Sequence, residues 1–234
     1  MASDAMTDIF PGAEDFRALD SRDWAPELQK SRIYEQLLSD IILGALPPSA
    51  PLEEKRLAQR YGAGLAGLRD ALSRLALEGM VVRRARIGTI VAPLDLREIE
   101  HAFEVRRLLE GRSGALAARN ATEADIADIR GAFDGAEEAV ERGDYRALLE
   151  MDRSFHKAVA YATHNPLLAR FIVSLQNIAT RFWIFAMERQ TAEEQMSDIT
   201  LHRAAGEAIA ARDPALAEAA MGRLVGDAPS SSGR

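Results

Sequence analysis

From residue 30 onward, apolar residues recur three and four positions apart, the period of a helix packed along one side. Ile33, Leu37, Leu38, Ile41 and Ile42 form such a stripe within Lys30–Gly44, and Gly44 with Pro47-Pro48 ends it. A second, short helix is predicted over Leu52–Tyr61. A third covers Leu65–Glu78, with Leu68, Leu72, Leu75 and Ala76 facing inward and Gly79 as its stop. The period then changes. The pairs Val81-Val82 and Ile90-Val91 bracket Arg83, Arg84, Arg86 and Gly88, the pattern of a hairpin with a basic turn. Three helices followed by such a hairpin describe a winged helix-turn-helix.

Pro93 separates this unit from a stretch rich in Ala, Leu, Glu and Arg at helical spacing. Helices are predicted over about 95–119, 123–142, 144–163, 166–190, 192–211 and 214–225. Asp144 and Asp213 suit helix starts, and Asn165-Pro166 marks a break and a restart. No segment here reads as a strand. The fold class expected is therefore mainly α. A winged helix-turn-helix with a small β wing occupies 22–93, and an all-α antiparallel bundle of six or seven helices occupies 94–226. Residues 1–21 carry scattered Gly, Pro and acids and read as a disordered acidic arm, and 227–234 as a disordered tail.

Charge sharpens this division. The 234 residues carry a net charge of −7, but the segments differ: −4 over 1–21, +3 over 22–93 and −6 over 94–234. The positive segment is the one with the helix-turn-helix pattern, as binding to phosphates requires. The chain has no cysteine, which excludes disulfides and thiolate metal sites and fits a reducing cytoplasm. No apolar run approaches the roughly 18 residues of a membrane span. The acidic start, MASDAMTDIF, is unlike a secretory signal.

A helix-turn-helix sets its second helix in the major groove of double-stranded DNA. The reading helix would be 65–78, with polar members Arg69, Asp70, Ser73 and Arg74. Arg69 is the candidate for a base or phosphate contact, since arginine can bond two acceptors on guanine. Lys55 and Arg56 on the preceding helix, and Arg83, Arg84, Arg86 and Gly88 on the wing, are candidates for phosphate or minor-groove contacts.

In the bundle, Asp152 and His156 are spaced i, i+4 and share a helix face, while His202 lies on another helix. One carboxylate and two imidazoles facing a bundle interior would suit Zn, Ni or Mn. The other reading of the histidines is ordinary half-buried side chains bonded to their neighbours. Arg106 sits within an apolar helix face. It would meet a ligand carboxylate, or pair with Glu110 or Asp152. Asn177 and Arg181, beside Phe182, Trp183 and Phe185, are further pocket candidates.

The N-terminal unit resembles the GntR family of bacterial transcription regulators. Tyr34, Pro48, Leu52, Glu54, Leu57-Ala58, Gly62, Arg69, Ala71-Leu72, Leu75, Glu78-Gly79, Gly88 and Val91 carry the resemblance. The chain departs from the family at the start of the reading helix. Gly64-Leu65-Ala66-Gly67 stands where the family has a Ser-Arg-Thr-Pro-like run, so weaker or relaxed DNA recognition is expected. The region from about Leu96 to Val225 is similar to the FCD ligand-binding domain of the FadR-type subfamily. The matching features are Val105-Arg106 with Leu109-Glu110, Asp152 with Phe155-His156, Asn165-Pro166-Leu167-Leu168, and His202-Arg203 followed by Ala208-Ile209 and Asp213. This resemblance implies a divalent metal held by Asp152, His156, His202 and a further histidine, and a small organic acid as effector. The further histidine is expected about 22 residues beyond His202, where the chain has Leu224. Together these imply a ligand-responsive transcription regulator acting as a homodimer. It would repress a catabolic or transport operon until a small carboxylate effector releases it. The alternative is a metal-dependent hydrolase or small-molecule binding protein built on the bundle, with a vestigial DNA-binding domain.

Overall fold

The structure, a computed structural model, describes residues 29–226; the arm and tail read above fall outside the described residues. Two compact units are present. Among the described residues the first holds 29–39 and 51–91, and the second holds 40–50 and 92–226. Residues 40–50 thus group with the helical unit, where Gly44 lies against Ile184.

The first unit contains most of α1 (Gln29–Ile42), α2 (Glu54–Arg60), α3 (Leu65–Leu77), β1 (Val81–Arg84) and β2 (Gly88–Val91). Its core is the predicted stripe: Ile33, Leu37, Leu38, Leu68, Leu72 and Leu75 are all buried. Burying a side chain of this size contributes about 1.5–3 kcal/mol. β1 and β2 pair antiparallel, with Val81 opposite Val91 and Arg84 opposite Gly88. Gly79 and Gly88 take positive φ at the two places where the chain turns into and within the hairpin. Leu52 N–H bonds Thr89 O at 2.8 Å, tying the segment before α2 to the wing.

The second unit contains seven helices among the described residues: α4 (Leu96–Asn120), α5 (Glu123–Gly131), α6 (Ala136–Glu141), α7 (Tyr145–Ala162), α8 (Pro166–Met187), α9 (Ala192–Ala210) and α10 (Pro214–Val225). Asp144, Asn165 and Asp213 accept backbone N–H bonds as N-caps, and Pro166 and Pro214 open their helices. Thr122–Asp125 and Thr191–Glu194 form reciprocal capping boxes. The single helix expected over 123–142 is instead two. Residues 132–135 turn between α5 and α6, and Gly135 begins α6 at φ +80°, a conformation that ends helix propagation. α4 runs through the bundle. Ile99 and Phe103 at its start pack with Ala179 and Trp183 of α8, and Leu109 packs with Ala169 and Ile172, so the two helices are antiparallel. At Gly114 an added Cβ would lie 2.7 Å from Ala217 O on α10, which is why α4 and α10 approach so closely there. No helix among the described residues is long and apolar enough to cross a membrane.

Candidate DNA-binding surface and central cavity

In the first unit, α3 begins at Leu65 with Gly64 as an N-cap that supplies no side-chain bond. Leu65 and Ala66 are exposed at this end, where a DNA reader would present polar groups. Arg69 is exposed, and its Nε donates to Glu54 Oε2 at 2.7 Å. An exposed pair of this kind contributes about 0–1 kcal/mol, so a phosphate or base edge competes with it readily. Arg83 Nη2 donates to Ser73 Oγ at 3.1 Å, linking wing to reading helix. Lys55, Arg56, Arg84, Arg86 and Gly88 are exposed.

Arg74 is a correction to the sequence reading. It is buried, its Nε donates to Glu78 Oε1 at 3.0 Å, and its guanidinium lies 4.0 Å over the Tyr34 ring. Tyr34 O–H in turn donates to Glu78 Oε2 at 2.6 Å. Burial first, and the Glu78 carboxylate second, push the Tyr34 hydroxyl well above the usual phenol range. Arg74 therefore braces α3 against α1 and is not presented to DNA.

In the second unit α4, α7 and α9 converge. Asp152, His156 and His202 each offer one atom, and these atoms lie within 4.8 Å of one another. His202 Nε2 is 3.1 Å, and His156 Nε2 3.6 Å, from Asp152 Oδ1. Metal bonds near 2.0–2.2 Å set neighbouring ligand atoms about 3–3.5 Å apart, so this spacing fits one small cation. The outer ring nitrogens are held as well: His202 Nδ1 faces Asp198 O at 2.8 Å, and His156 Nδ1 faces Glu110 Oε2. At His202 this bond fixes the tautomer that turns Nε2 toward Asp152 and the cavity. The donor set and its supports thus suit a divalent cation with open coordination positions.

Sequence reasoning did not assign Glu110 to the site, although it is the hub. Its side chain is 1% exposed. It accepts from Arg106 Nε at 2.6 Å and faces His156. Burial would raise the Glu110 carboxyl, but Arg106 and His156 outweigh it and hold it down at about 2. Burial would likewise lower the His156 imidazole, but Glu110 and Asp152 outweigh it and raise it to about 9. The Asp152 carboxyl is held far below the usual range by His156 and His202, against the pull of burial.

Arg106, Asp152, His156 and His202, with Glu110 behind them, line a cavity of about 50 Å3, room for an ion and a few waters. Arg106, Asp152, His156, Asp198, His202 and Leu224 all face it, with Phe103, Phe133 and Trp183 among its apolar walls. Leu224 thus stands beside the cluster without a donor atom. Two expected pocket residues are not in the lining. Asn177 is buried and accepts from Arg153 Nε at 3.2 Å. Arg181 is buried and donates to Ala92 O. Their hydrogen bonds go to Arg153 and to the chain at Ala92 rather than to groups lining the cavity, a difference that helical spacing alone does not supply.

Two family models match: bacterial regulatory proteins of the gntR family over residues 29–91, and the FCD domain over residues 101–227. This chain belongs to the GntR family and carries an FCD domain. As a GntR-family regulator it is 32% identical over 198 residues to a probable D-xylose utilization operon transcriptional repressor of Paenarthrobacter nicotinovorans, covering 82% of this chain and 83% of that one. It is 28% identical to the regulator LutR of Bacillus subtilis, covering 76% and 89%. The solved structure of Escherichia coli McbR shares its fold at a TM-score of 0.76 and 23% identity, covering 85% and 93%. These matches are to transcription regulators, and this GntR-family protein is one of them rather than an enzyme. The alternative of a hydrolase with a vestigial DNA-binding domain is not favoured.

Proposed function

We propose that this chain is a homodimeric repressor of a catabolic or transport operon, released from DNA by a small carboxylate effector. One observation carries the reading. A winged helix-turn-helix is joined in one chain to a bundle in which the buried Arg106, His156 and His202 and the half-buried Asp152 all line one cavity. The repressor named for a D-xylose operon supports the sign of regulation. Arg69, Lys55 and Arg56, with Ser73, Arg83, Arg84, Arg86 and Gly88, form the DNA-contacting set, and Arg74 supports them from beneath.

A second copy is required by two half-sites one helical turn apart. Leu108 on α4, and Leu167 and Phe171 on α8, are 72%, 58% and 62% exposed on helices that lie side by side. We assign this apolar ridge to the partner copy. The test is footprinting on DNA upstream of the gene. The wild-type chain is expected to protect two half-sites and to release them with an organic acid. The pair Leu108→Glu and Phe171→Glu is expected to lose the second half-site. Equal protection by this variant would reject the dimer surface, and no protection by the wild type would reject the repressor.

Asp152, His156 and His202 would hold a divalent cation, Zn, Ni or Mn, with effector or water completing the shell. Metal must displace the proton that Asp152 and Glu110 favour on His156, which lowers its affinity near neutral pH. Leu224→His supplies the missing donor. It is expected to tighten Zn or Ni binding about tenfold or more in competition with a chromogenic chelator, by analogy with the size of supporting-residue effects. No binding by either protein would reject the metal.

A further inference from the structure

The central cavity, at about 50 Å3, is smaller than the roughly 300–1,000 Å3 that organic ligands usually occupy. A second hollow of about 260 Å3 lies between α5 and α9, lined by Ile129, Arg130, Phe133, Phe155, Arg203 and Gly206, with His202 and Glu207. Phe133 and His202 line both spaces, with ring centroids 4.5 Å apart. These two side chains are the wall between them.

We propose that Phe133 is a door, latched by Arg203, through which a carboxylate ligand reaches the central cavity from the α5–α9 groove, and that its displacement merges the two spaces. The idea rests on the reading of the central cavity as the ligand site only for what passes through. His202 is fixed on α9 by its bond to Asp198 O. Phe133 instead belongs to the short turn between α5 and α6, outside any helix, with Gly131 before it and Gly135 after it at φ +80°. That turn is held by two backbone bonds, Asp134 N–H to Gly131 O at 3.1 Å and Ala136 N–H to Phe133 O at 3.3 Å.

The strongest tie comes from α9. Arg203 Nη2 donates to Phe133 O at 3.1 Å and to Glu137 Oε2 at 2.9 Å, while Nη1 meets Glu137 Oε1. Arg203 and Glu137 are each 45% exposed, so the latch stands at the surface while the ring it restrains is buried. An incoming carboxylate competes with Glu137 and the carbonyl for the same guanidinium. Arg203 then greets the ligand's charge, and Ile129 and Phe155 receive its apolar part. Gly206 keeps the groove open beneath: a Cβ there would sit 3.3 Å from Ile129 Cγ2 and 3.6 Å from Phe155 Cε2.

The test labels histidines with diethyl pyrocarbonate in metal-free protein and maps the modified peptides. His202 is 2% exposed, whereas His101 and His164 are exposed and serve as internal references. Arg203→Ala and Glu137→Gln, both surface changes, are expected to raise the His202 rate about fivefold without altering His101 or His164, as release of a local latch would. Arg130→Ala removes the other pair across the groove, with Glu207, and is expected to leave His202 at its original rate. Unchanged His202 labelling in both latch variants overturns the door. A uniform rise at all three histidines also overturns it, because that reports general loosening. The readout uses neither metal nor organic acid, so a failed effector screen leaves it standing. A failed door leaves the effector reading intact with another entrance.

Discussion

Glu110→Ala is expected to lower the unfolding free energy by about 3–5 kcal/mol, the cost of leaving a buried charge without its partner. Arg106 and His156, 3% and 2% exposed, both direct cationic groups at this one carboxylate. Removing it leaves the Arg106 guanidinium against Phe103 and the cavity wall without its carboxylate partner, a loss that a neutral water in the cavity offsets only in part. His156 keeps Asp152 and is less affected. The measurement is urea unfolding followed by circular dichroism, with Glu110→Gln alongside. The amide keeps the volume and two bonding positions and is expected to fall between the two. A paired replacement, Arg106→Met with Glu110→Leu, is expected to recover most of the loss, since apolar residues of similar size substitute for a buried ion pair at little cost. A loss below about 1 kcal/mol for Glu110→Ala would show that the trio is not held as a unit.

The case of Glu110 shows where sequence reasoning stops. The pair Arg106–Glu110 is legible, because i, i+4 residues share a helix face. The contact from Glu110 to His156 crosses 46 positions between α4 and α7, and nothing local announces it. The convergence of Asp152, His156 and His202 was legible only in part. Spacing places the first two on one face and His202 on another helix; that the three meet follows from no local pattern, because His202 lies 46 positions beyond His156. Arg74 was misread for a related reason. Along α3 it looks like one more solvated arginine, and only the Tyr34 ring, from a helix 40 positions earlier, turns it into a core residue. Helix starts were legible where a side chain caps them, as at Asp144, Asn165 and Asp213. The break between α5 and α6 was not, because Ala132, Phe133 and Ala136 keep a helical composition across a turn set by backbone dihedrals at Gly135. The stripes of Leu and Ile that form the first unit's core were fully legible, since burial there follows directly from period.

The largest gain in function is expected from rebuilding the start of α3. Gly64→Ser, Leu65→Arg, Ala66→Thr and Gly67→Pro together place a cap, a base-contacting cation, a phosphate-bonding hydroxyl and a rigid first turn where the chain now has two glycines and two apolar residues. The backbone accepts this. Gly64 already has the extended N-cap conformation, at φ −73° and ψ 149°, and Leu65 is the first helical residue, so proline at 67 remains within the first turn, where its missing N–H costs little. Leu65 is 39% exposed, so an arginine there meets no core atom. One well-made bidentate base contact is worth about 1–3 kcal/mol, which corresponds to a gain of about fivefold to 150-fold in affinity for a matching operator. Gel shifts across a salt series separate the sources of that gain. An added phosphate contact steepens the salt dependence, whereas a better-ordered helix raises affinity at every salt concentration alike. Equal affinity before and after the four substitutions would mean that the wing and Arg69 already carry recognition, and that the Gly-Leu-Ala-Gly start is not a defect in reading DNA.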